Sequence, residues 1–444
     1  MPAADAVPTL SEGFPPYADF DPRVPIRCVT PDLHGCIHRF FDTSPISPSG
    51  RYLAAFALPF ENRGPQPGEA GSVVLVDLQS GEQRRVAESR GWEPQMGANL
   101  NWGGDDETLF FNDVDPQTWD AFAVKLNPLT GGTQRMDGPV YHASPDGRYL
   151  AASNPKAMRR TQGGYGVIVP DAHTPRFTST PEDEGLWLTD ADTGRTKMIV
   201  SLAELMRVAD SSAFADAGGH ERVECYGFHS KFSPCGRRLL FTTRWCGHEP
   251  KPAFGLHGGR KDLRYTVFTM DLNRDAPEAD GFPKVENLWA TIGDEQWEKG
   301  GHHVNWFPDG DALSANLALH RDGMRFVRCG LDGSGLREVC EGVVGSGHPS
   351  IHPTAGHFVT DTYVHEPLAF KDGTTPLRWV DTVSGEEHQV ARYPSRTPYQ
   401  QQDGTLRLDP HPAWDRAWTH VAFNVFLDGT RRVMVADMRP LLGG

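Results

Sequence analysis

The sequence predicts an all-β fold, a seven-bladed β-propeller with loop and helix insertions on one face. Three observations predict it. A turn motif recurs: Ser47-Pro-Ser-Gly-Arg-Tyr-Leu53 returns as Ser144-Pro-Asp-Gly-Arg-Tyr-Leu150, Ser233-Pro-Cys-Gly-Arg-Arg-Leu239 and Phe307-Pro-Asp-Gly-Asp-Ala-Leu313, and looser copies at Trp102, His352 and His411 bring the count to seven. Each copy leads into an alternating apolar strand that ends in a second signature, at Val74–Gly81, Val124–Gly131, Leu186–Gly194, Val267–Leu272, Val327–Gly333, Leu377–Gly385 and Val433–Met438. Gly 47 and Pro 36 in 444 residues, without collagen period, suit many short strands and turns.

Each unit is a small antiparallel sheet: Pro-Asp-Gly supplies the turn and period-two alternation marks a strand with one buried face. Such a sheet cannot bury both faces alone, so the copies stack radially, in preference to a two-sheet sandwich array. Residues 1–26 read as an N-terminal extension and 27–444 as a single propeller. The spacing between copies widens over about 154–224, which holds the Gly/Pro-rich stretch Gln162–Pro181 and one helix, Leu202–Asp216, and again over 246–261. Long loops on one face of a rigid scaffold are where binding is expected.

The 43 Lys+Arg against 58 Asp+Glu give a net charge of −15, which disfavours nucleic acid and anionic membranes as partners. Seven scattered cysteines without a CxxC pair argue against a disulfide framework or a zinc ribbon. There is no long apolar run, and Met1–Tyr17 lacks the basic and apolar regions of a signal peptide. The expectation is a cytoplasmic protein, or a periplasmic or secreted one where a leader is removed. It is expected to act as a monomer or homodimer.

In a propeller, the strand before each turn motif is innermost and lines the central channel. Reading back from each turn places His38, Gln95, Tyr141, His229, His302, His303, His348, Asp409 and His411 on inner strands. His303, His348, His411 and Asp409 are candidate ligands for a divalent metal, imidazoles with a carboxylate suiting a transition metal and carboxylate and carbonyl oxygens suiting calcium. Arg39, beside His38, is a candidate clamp for a carboxylate. His229, flanked by Phe228 and Phe232, is a candidate general base, with His38 as another. Arg159 and Arg160 open the large insertion, and Tyr165 in Gln162-Gly-Gly-Tyr-Gly166 is a candidate acid or sugar-stacking face. Gln95, Tyr141 and His302 complete the candidate substrate contacts.

No GxSxG elbow, P-loop or dinucleotide fingerprint occurs, which removes the usual routes to a propeller peptidase or a nucleotide enzyme. Ile37-His-Arg-Phe-Phe-Asp-Thr-Ser-Pro45, Gln95-Met-Gly-Ala-Asn-Leu-Asn-Trp102, His303-Val-Asn-Trp306, Gly347-His-Pro-Ser350, Thr360-Asp-Thr-Tyr363 and Asp409-Pro-His-Pro412 together resemble the oligogalacturonate-lyase-like propellers. Within these, the rhamnose-α-1,4-glucuronate lyase branch looks nearest. The resemblance runs from about Cys28 to Met438. It implies a lyase with a central-channel site, a bound divalent cation, a histidine base and arginines on the uronate carboxylate of an acidic oligo- or polysaccharide. It also implies metal ligation at His303 and His411 and a catalytic role near His229, while Asp409 stands where that family carries a histidine, a departure that bears on the choice between manganese and calcium.

β-Elimination from a uronate removes a weakly acidic C-5 proton, so the carboxylate charge must be offset as the carbanion develops. A metal and a guanidinium can offset it, and an imidazole near its ordinary pKa of about 6.5 can take the proton. Two other readings stand beside the lyase: a non-catalytic interaction or sugar-binding propeller, which has no need of channel histidines, and a glycoside hydrolase, which needs paired carboxylates.

Overall fold

The computed structural model describes residues 7–247, 263–297, 300–320 and 323–442. Seven four-stranded antiparallel sheets form the seven blades expected from the repeats. Their inner strands are Cys36–Ile37, Asn101–Trp102, His142–Ala143, Val223–Phe232, Gly301–Trp306, Ser350–Ile351 and Ala413–Trp414. In blades one to six the chain runs outward through four consecutive strands. Blade seven is closed instead by Ile26–Cys28, which pairs with Thr430–Asp437 in the register Ile26↔Ala436 to Cys28↔Met434. Both ends of the chain thus share one sheet, and the ring is locked by backbone hydrogen bonds.

The expected boundary at residue 26 falls inside this closure. Phe14, Tyr17 and Val24 are buried, and Tyr17 donates its backbone N–H to the Ile26 carbonyl at 2.8 Å and its hydroxyl to the Arg392 carbonyl at 2.7 Å. Leaving those apolar side chains in water would forfeit about 2 kcal/mol each. The segment from Phe14 onward is therefore built into the propeller.

Apolar side chains fill the space between blades. Phe56, Val73, Leu75, Trp102, Leu109 and Phe111 form one such layer between blades one and two. Indole N–H groups pin neighbouring inner strands: Trp102 to the Pro45 carbonyl, Trp306 to that of Lys231 and Trp414 to that of Ser350, at 2.8, 3.0 and 3.0 Å.

Because successive strands run antiparallel, the loops after each second strand and before each inner strand emerge at the same end. The segment between Tyr149–Ala152 and Gly185–Asp190 and the one between Thr196–Ser201 and Val223–Phe232 therefore crown one face. The expected helix Leu202–Asp216 is two helices, Leu202–Ala209 and Ser212–Asp216. Ser201 caps the first through the Glu204 N–H, and Asp210 ends it at φ 38°, a left-handed conformation that aspartate tolerates better than most residues. Of the expected insertion at 246–261, only Cys246 and Gly247 lie among the described residues. No helix among the described residues is long and apolar enough to cross a membrane.

Candidate functional site

Bulges in the inner strands aim the site. The pairing register slips between Gly227 and Ser230 in blade four and between His302 and Asn305 in blade five, so His229 and His303 fall where the inner strand carries unmatched residues. His303 and His411 have φ of 60° and 52°, costly backbone for residues with a side chain. A bulge of this kind turns a side chain out of the ladder and into the channel.

Three residues expected as metal ligands converge. His348, Asp409 and His411 are buried, and each offers one donor atom within 4.8 Å of the other two. Asp361 orients His348 by accepting from its backbone N–H at 2.6 Å and facing Nδ1 at 2.9 and 3.0 Å. That pairing puts the proton on Nδ1 and leaves the Nε2 lone pair free, and Nε2 is buried with no hydrogen-bond partner. Only glycine fits at 347, where φ is 68° and an added Cβ would strike the Asp361 carbonyl. Both ring nitrogens of His411 are equally unpartnered, and Arg407 holds one oxygen of Asp409 at 3.0 Å. Unpaired buried imidazole nitrogens beside a carboxylate are costly unless something binds them, so this donor set fits a divalent cation.

His303 stands next to that set rather than in it. Its ring stacks on His348 with centroids 3.8 Å apart, its Nδ1 bonds the Gly347 carbonyl and its Nε2 accepts from the Tyr363 hydroxyl at 3.0 Å. Burial, then His348 and His302, pushes His303 well below its ordinary pKa, so the ring is neutral. His38 packs near the cluster with both ring nitrogens unpartnered, and burial pushes it down to about 3. Phe40 fills the middle of the channel, with ring centroids 4.6 Å from His411, 5.4 Å from His348 and 5.5 Å from His229.

A cavity of about 170 Å³ opens beside the cluster. His229, Tyr165, His302, His303, Tyr363, Gln162 and Arg244 supply polar wall groups, and none of the described residues lining it is a carboxylate. His229 stacks on Phe228 at 3.7 Å and on Tyr141 at 5.0 Å, with Nε2 unpartnered, and burial drives its pKa well down. The Arg244 guanidinium lies over Phe228 at 3.7 Å and Tyr265 at 4.8 Å; its Nη1 donates to the side-chain Oε1 of Gln162 at 2.8 Å, while Nε has no partner. A larger cavity, about 1170 Å³, lies at the opposite end among the turn motifs, and holds none of these groups.

The structure does not bring every expected residue to this cavity. Arg39 is spent internally: Nε bonds Asn99 at 3.0 Å, Nη1 bonds Asp42 and Thr43, both at 2.5 Å, and Nη2 bonds the Tyr141 carbonyl at 2.7 Å. A guanidinium so saturated cannot also clamp a substrate carboxylate. Arg159 bonds the Val169 carbonyl, and Arg160 those of Thr174 and Pro175, so both hold the insertion loop together. The Gln95 amide is turned to the backbone of Thr405 and Arg407, and Tyr141 is buried behind His229. Conversely, Arg244, Asp361, Tyr363 and Arg407 carried no role in the sequence. Asp361 and Tyr363 lie in the Thr360–Tyr363 motif, whereas Arg244 and Arg407 have no local signal.

No known family model and no curated protein sequence matches the chain. Solved structures do. An oligogalacturonate lyase in complex with manganese aligns with a TM-score of 0.59 at 15% identity, covering 97% of this chain and 98% of its own. An oligogalacturonate lyase from Vibrio parahaemolyticus aligns with a TM-score of 0.60 at 16% identity, covering 98% of this chain and 100% of its own. In fold, from end to end, the protein is similar to these oligogalacturonate lyases.

Proposed function

We propose that the protein is a carbohydrate lyase that cleaves a uronate-containing oligo- or polysaccharide by metal-assisted β-elimination, leaving a 4,5-unsaturated uronate. The observation that carries this reading is the pairing of the His348–Asp409–His411 donor set with a neighbouring cavity walled by neutral imidazoles, phenols and one guanidinium, with no carboxylate among the described residues that line it. A hydrolase would need two carboxylates facing the scissile bond. An interaction platform would gain nothing from burying unpaired imidazole nitrogens.

Two imidazoles and one carboxylate suit a first-row transition metal better than calcium, which favours oxygen donors, and manganese is the metal in one of the similar lyase structures. His348, Asp409 and His411 would hold a divalent cation, whose positive charge would offset the uronate carboxylate and make the C-5 proton more acidic. Arg244 meets the same carboxylate through its unpartnered Nε edge, held in place by Gln162 and two aromatic faces.

His303 is the base. The Gly347 carbonyl fixes its proton on Nδ1, so the lone pair sits on Nε2, next to the ligand set. As the Tyr363 hydroxyl turns from Nε2 towards the C-4 oxygen, Nε2 takes the C-5 proton, the C-5 electron pair becomes the C-4=C-5 double bond, and the C-4–O bond breaks. Tyr363, whose phenol burial keeps protonated, gives its proton to the departing oxygen and regains one from His303 along their 3.0 Å contact. Tyr165 closes the cavity as a sugar-facing ring. A second assignment has His229 as base, favoured by its unpartnered Nε2.

Ultraviolet absorbance of the unsaturated uronate tests the proposal on rhamnose-glucuronate and galacturonate oligomers, with and without chelator. Rising absorbance that chelation abolishes and manganese restores is expected. His303→Ala is expected to slow it by about 10²-fold or more, the usual worth of a general base, with a smaller loss for His229→Ala. The opposite order moves the base to His229. New reducing ends without absorbance would make the protein a hydrolase; neither signal on any glycan would leave the binding-platform reading.

A further inference from the structure

Two segments that bear site residues come from outside the blades: loop 155–167 carries Gln162 and Tyr165, and connector 403–411 carries Arg407 and Asp409. They meet at turn 93–97, just ahead of the inner strand of blade two. The turn is closed on itself, since Glu93 and Gly97 exchange both backbone hydrogen bonds at 3.0 Å, with Gly97 at φ 60°. On one side the Glu93 carboxylate, 2% exposed, accepts from the N–H of Gly166, the residue after Tyr165. On the other side the Gln95 amide donates to the carbonyls of Thr405 and Arg407, at 2.8 and 3.2 Å. The two loops also touch each other there: a Cβ added at Gly164 would stand 3.2 Å from Gln95 and 3.4 Å from Thr405.

We propose that Glu93 and Gln95 are positioning residues that lock loop 155–167 and connector 403–411 against each other, and so fix Tyr165 and the Arg407–Asp409 pair at the substrate site. Neither touches the reacting atoms. These side chains tie positions 73, 310 and 312 residues apart in sequence, which the blade ladders do not reach. One oxygen of each, Glu93 Oε1 and Gln95 Oε1, is buried with no partner. An apolar side chain would fill the same space without that cost, so the retained polar groups serve the ties they make. Burial, opposed by the Gly166 N–H and by Arg39, pushes Glu93 up to about 8, so at neutral pH it is mainly an uncharged acid whose oxygen still accepts from Gly166.

The catalytic consequence rests on the lyase reading; the mechanical one does not, and the test separates them. Hydrogen exchange by mass spectrometry on the full chain reads the loops directly. Glu93→Ala is expected to speed exchange in 155–167, and Gln95→Ala in 403–411, by about tenfold each, with blade strands unchanged. On any uronate that the wild type cleaves, both are expected to raise KM and lower kcat, while Glu93→Gln, which keeps an acceptor for Gly166, restores both to within about twofold of wild type. Unchanged exchange in both loops overturns the proposal, as does a Glu93→Gln variant no better than Glu93→Ala. Should Glu93→Ala fail to fold, Gln95→Ala and Glu93→Gln still decide it. Loops that loosen as expected in a protein that eliminates no uronate would sink the lyase reading and leave the lock standing.

Discussion

Asp361 grips His348 twice, accepting from its backbone N–H at 2.6 Å and facing Nδ1 with both carboxylate oxygens, at 2.9 and 3.0 Å. The grip fixes the tautomer and aims Nε2 at Asp409 and His411. Carboxylates in this position commonly govern metal affinity from behind the ligand.

Asp361→Ala is therefore expected to weaken manganese binding by about 10–100-fold in a calorimetric titration of the chelated and dialysed protein. Asp361→Asn, whose side-chain oxygen can still accept from Nδ1, should lose less. Equal affinity in all three proteins would mean that His348 is not a ligand.

Below Phe40 the channel is braced by charge. Asp42 sits between Arg39 at 2.5 Å and Lys231 at 2.9 Å, with side-chain exposures of 0%, 2% and 1%. Burial raises the Asp42 carboxyl, but the two cations outweigh it and hold it well below the carboxylate range. Removing the anion strands two buried cations. Asp42→Asn is expected to lower the unfolding free energy by about 3–5 kcal/mol in denaturant titration. A loss under about 1 kcal/mol would show that water or a rearranged partner replaces the carboxylate.

The indole pins between blades should act independently. Trp306 and Trp414 each donate to the inner strand of the preceding blade at 3.0 Å, on sites that share no partner. Replacing either with Phe leaves a buried carbonyl short of its donor, at a cost of about 1–3 kcal/mol. The double variant is expected to lose the sum within about 0.5 kcal/mol; a marked excess would mean that strain passes around the ring.

The blades were legible because turn chemistry is local: Pro, Asp and Gly at fixed offsets select the hairpin wherever the chain goes next. The His348–Asp409–His411 set was legible because the turn motif fixes where each inner strand runs, although the three residues lie just ahead of Ser350–Ile351 and Ala413–Trp414 and not on those strands as expected. The arginines were not. Arg39 next to His38 reads as a carboxylate clamp and Arg159 next to a Gly-rich loop as a substrate contact, but a guanidinium's use depends on which carbonyls and carboxylates surround it. Arg244 gives the reverse case: it lies mid-strand in Arg238–Gly247 with no motif, and becomes a site residue only because Phe228 and Tyr265 stack on it. The insertion helix broke at Asp210 because a left-handed residue costs aspartate little, a preference too weak to locate from sequence.

Acid should unfold this protein through a histidine that the proposed chemistry does not use. His142 Nδ1 accepts from the Phe232 N–H at 3.3 Å, which requires an unprotonated nitrogen there. Burial, with Arg39 and Lys231 adding to it and Asp42 opposing, pushes its pKa from 6.5 down to about 4. The sign follows directly. In the unfolded chain the imidazole takes a proton as pH falls through 6.5, whereas in the folded protein it stays neutral until about 4. Stability is therefore whole above pH 6.5 and drains away between 6.5 and 4, by up to about 3 kcal/mol from this residue. Denaturant titrations at pH 7.5 and pH 4.5 should show at least that loss in the wild type, because His38, His229 and His303, also pushed down by burial, add to it over the same range. His142→Gln, which keeps an acceptor near Phe232 but cannot titrate, should start less stable and lose correspondingly less on acidification. An identical acid loss in the variant would assign the effect to the other buried histidines, with His420, also pushed down to about 4 by burial, the next to replace.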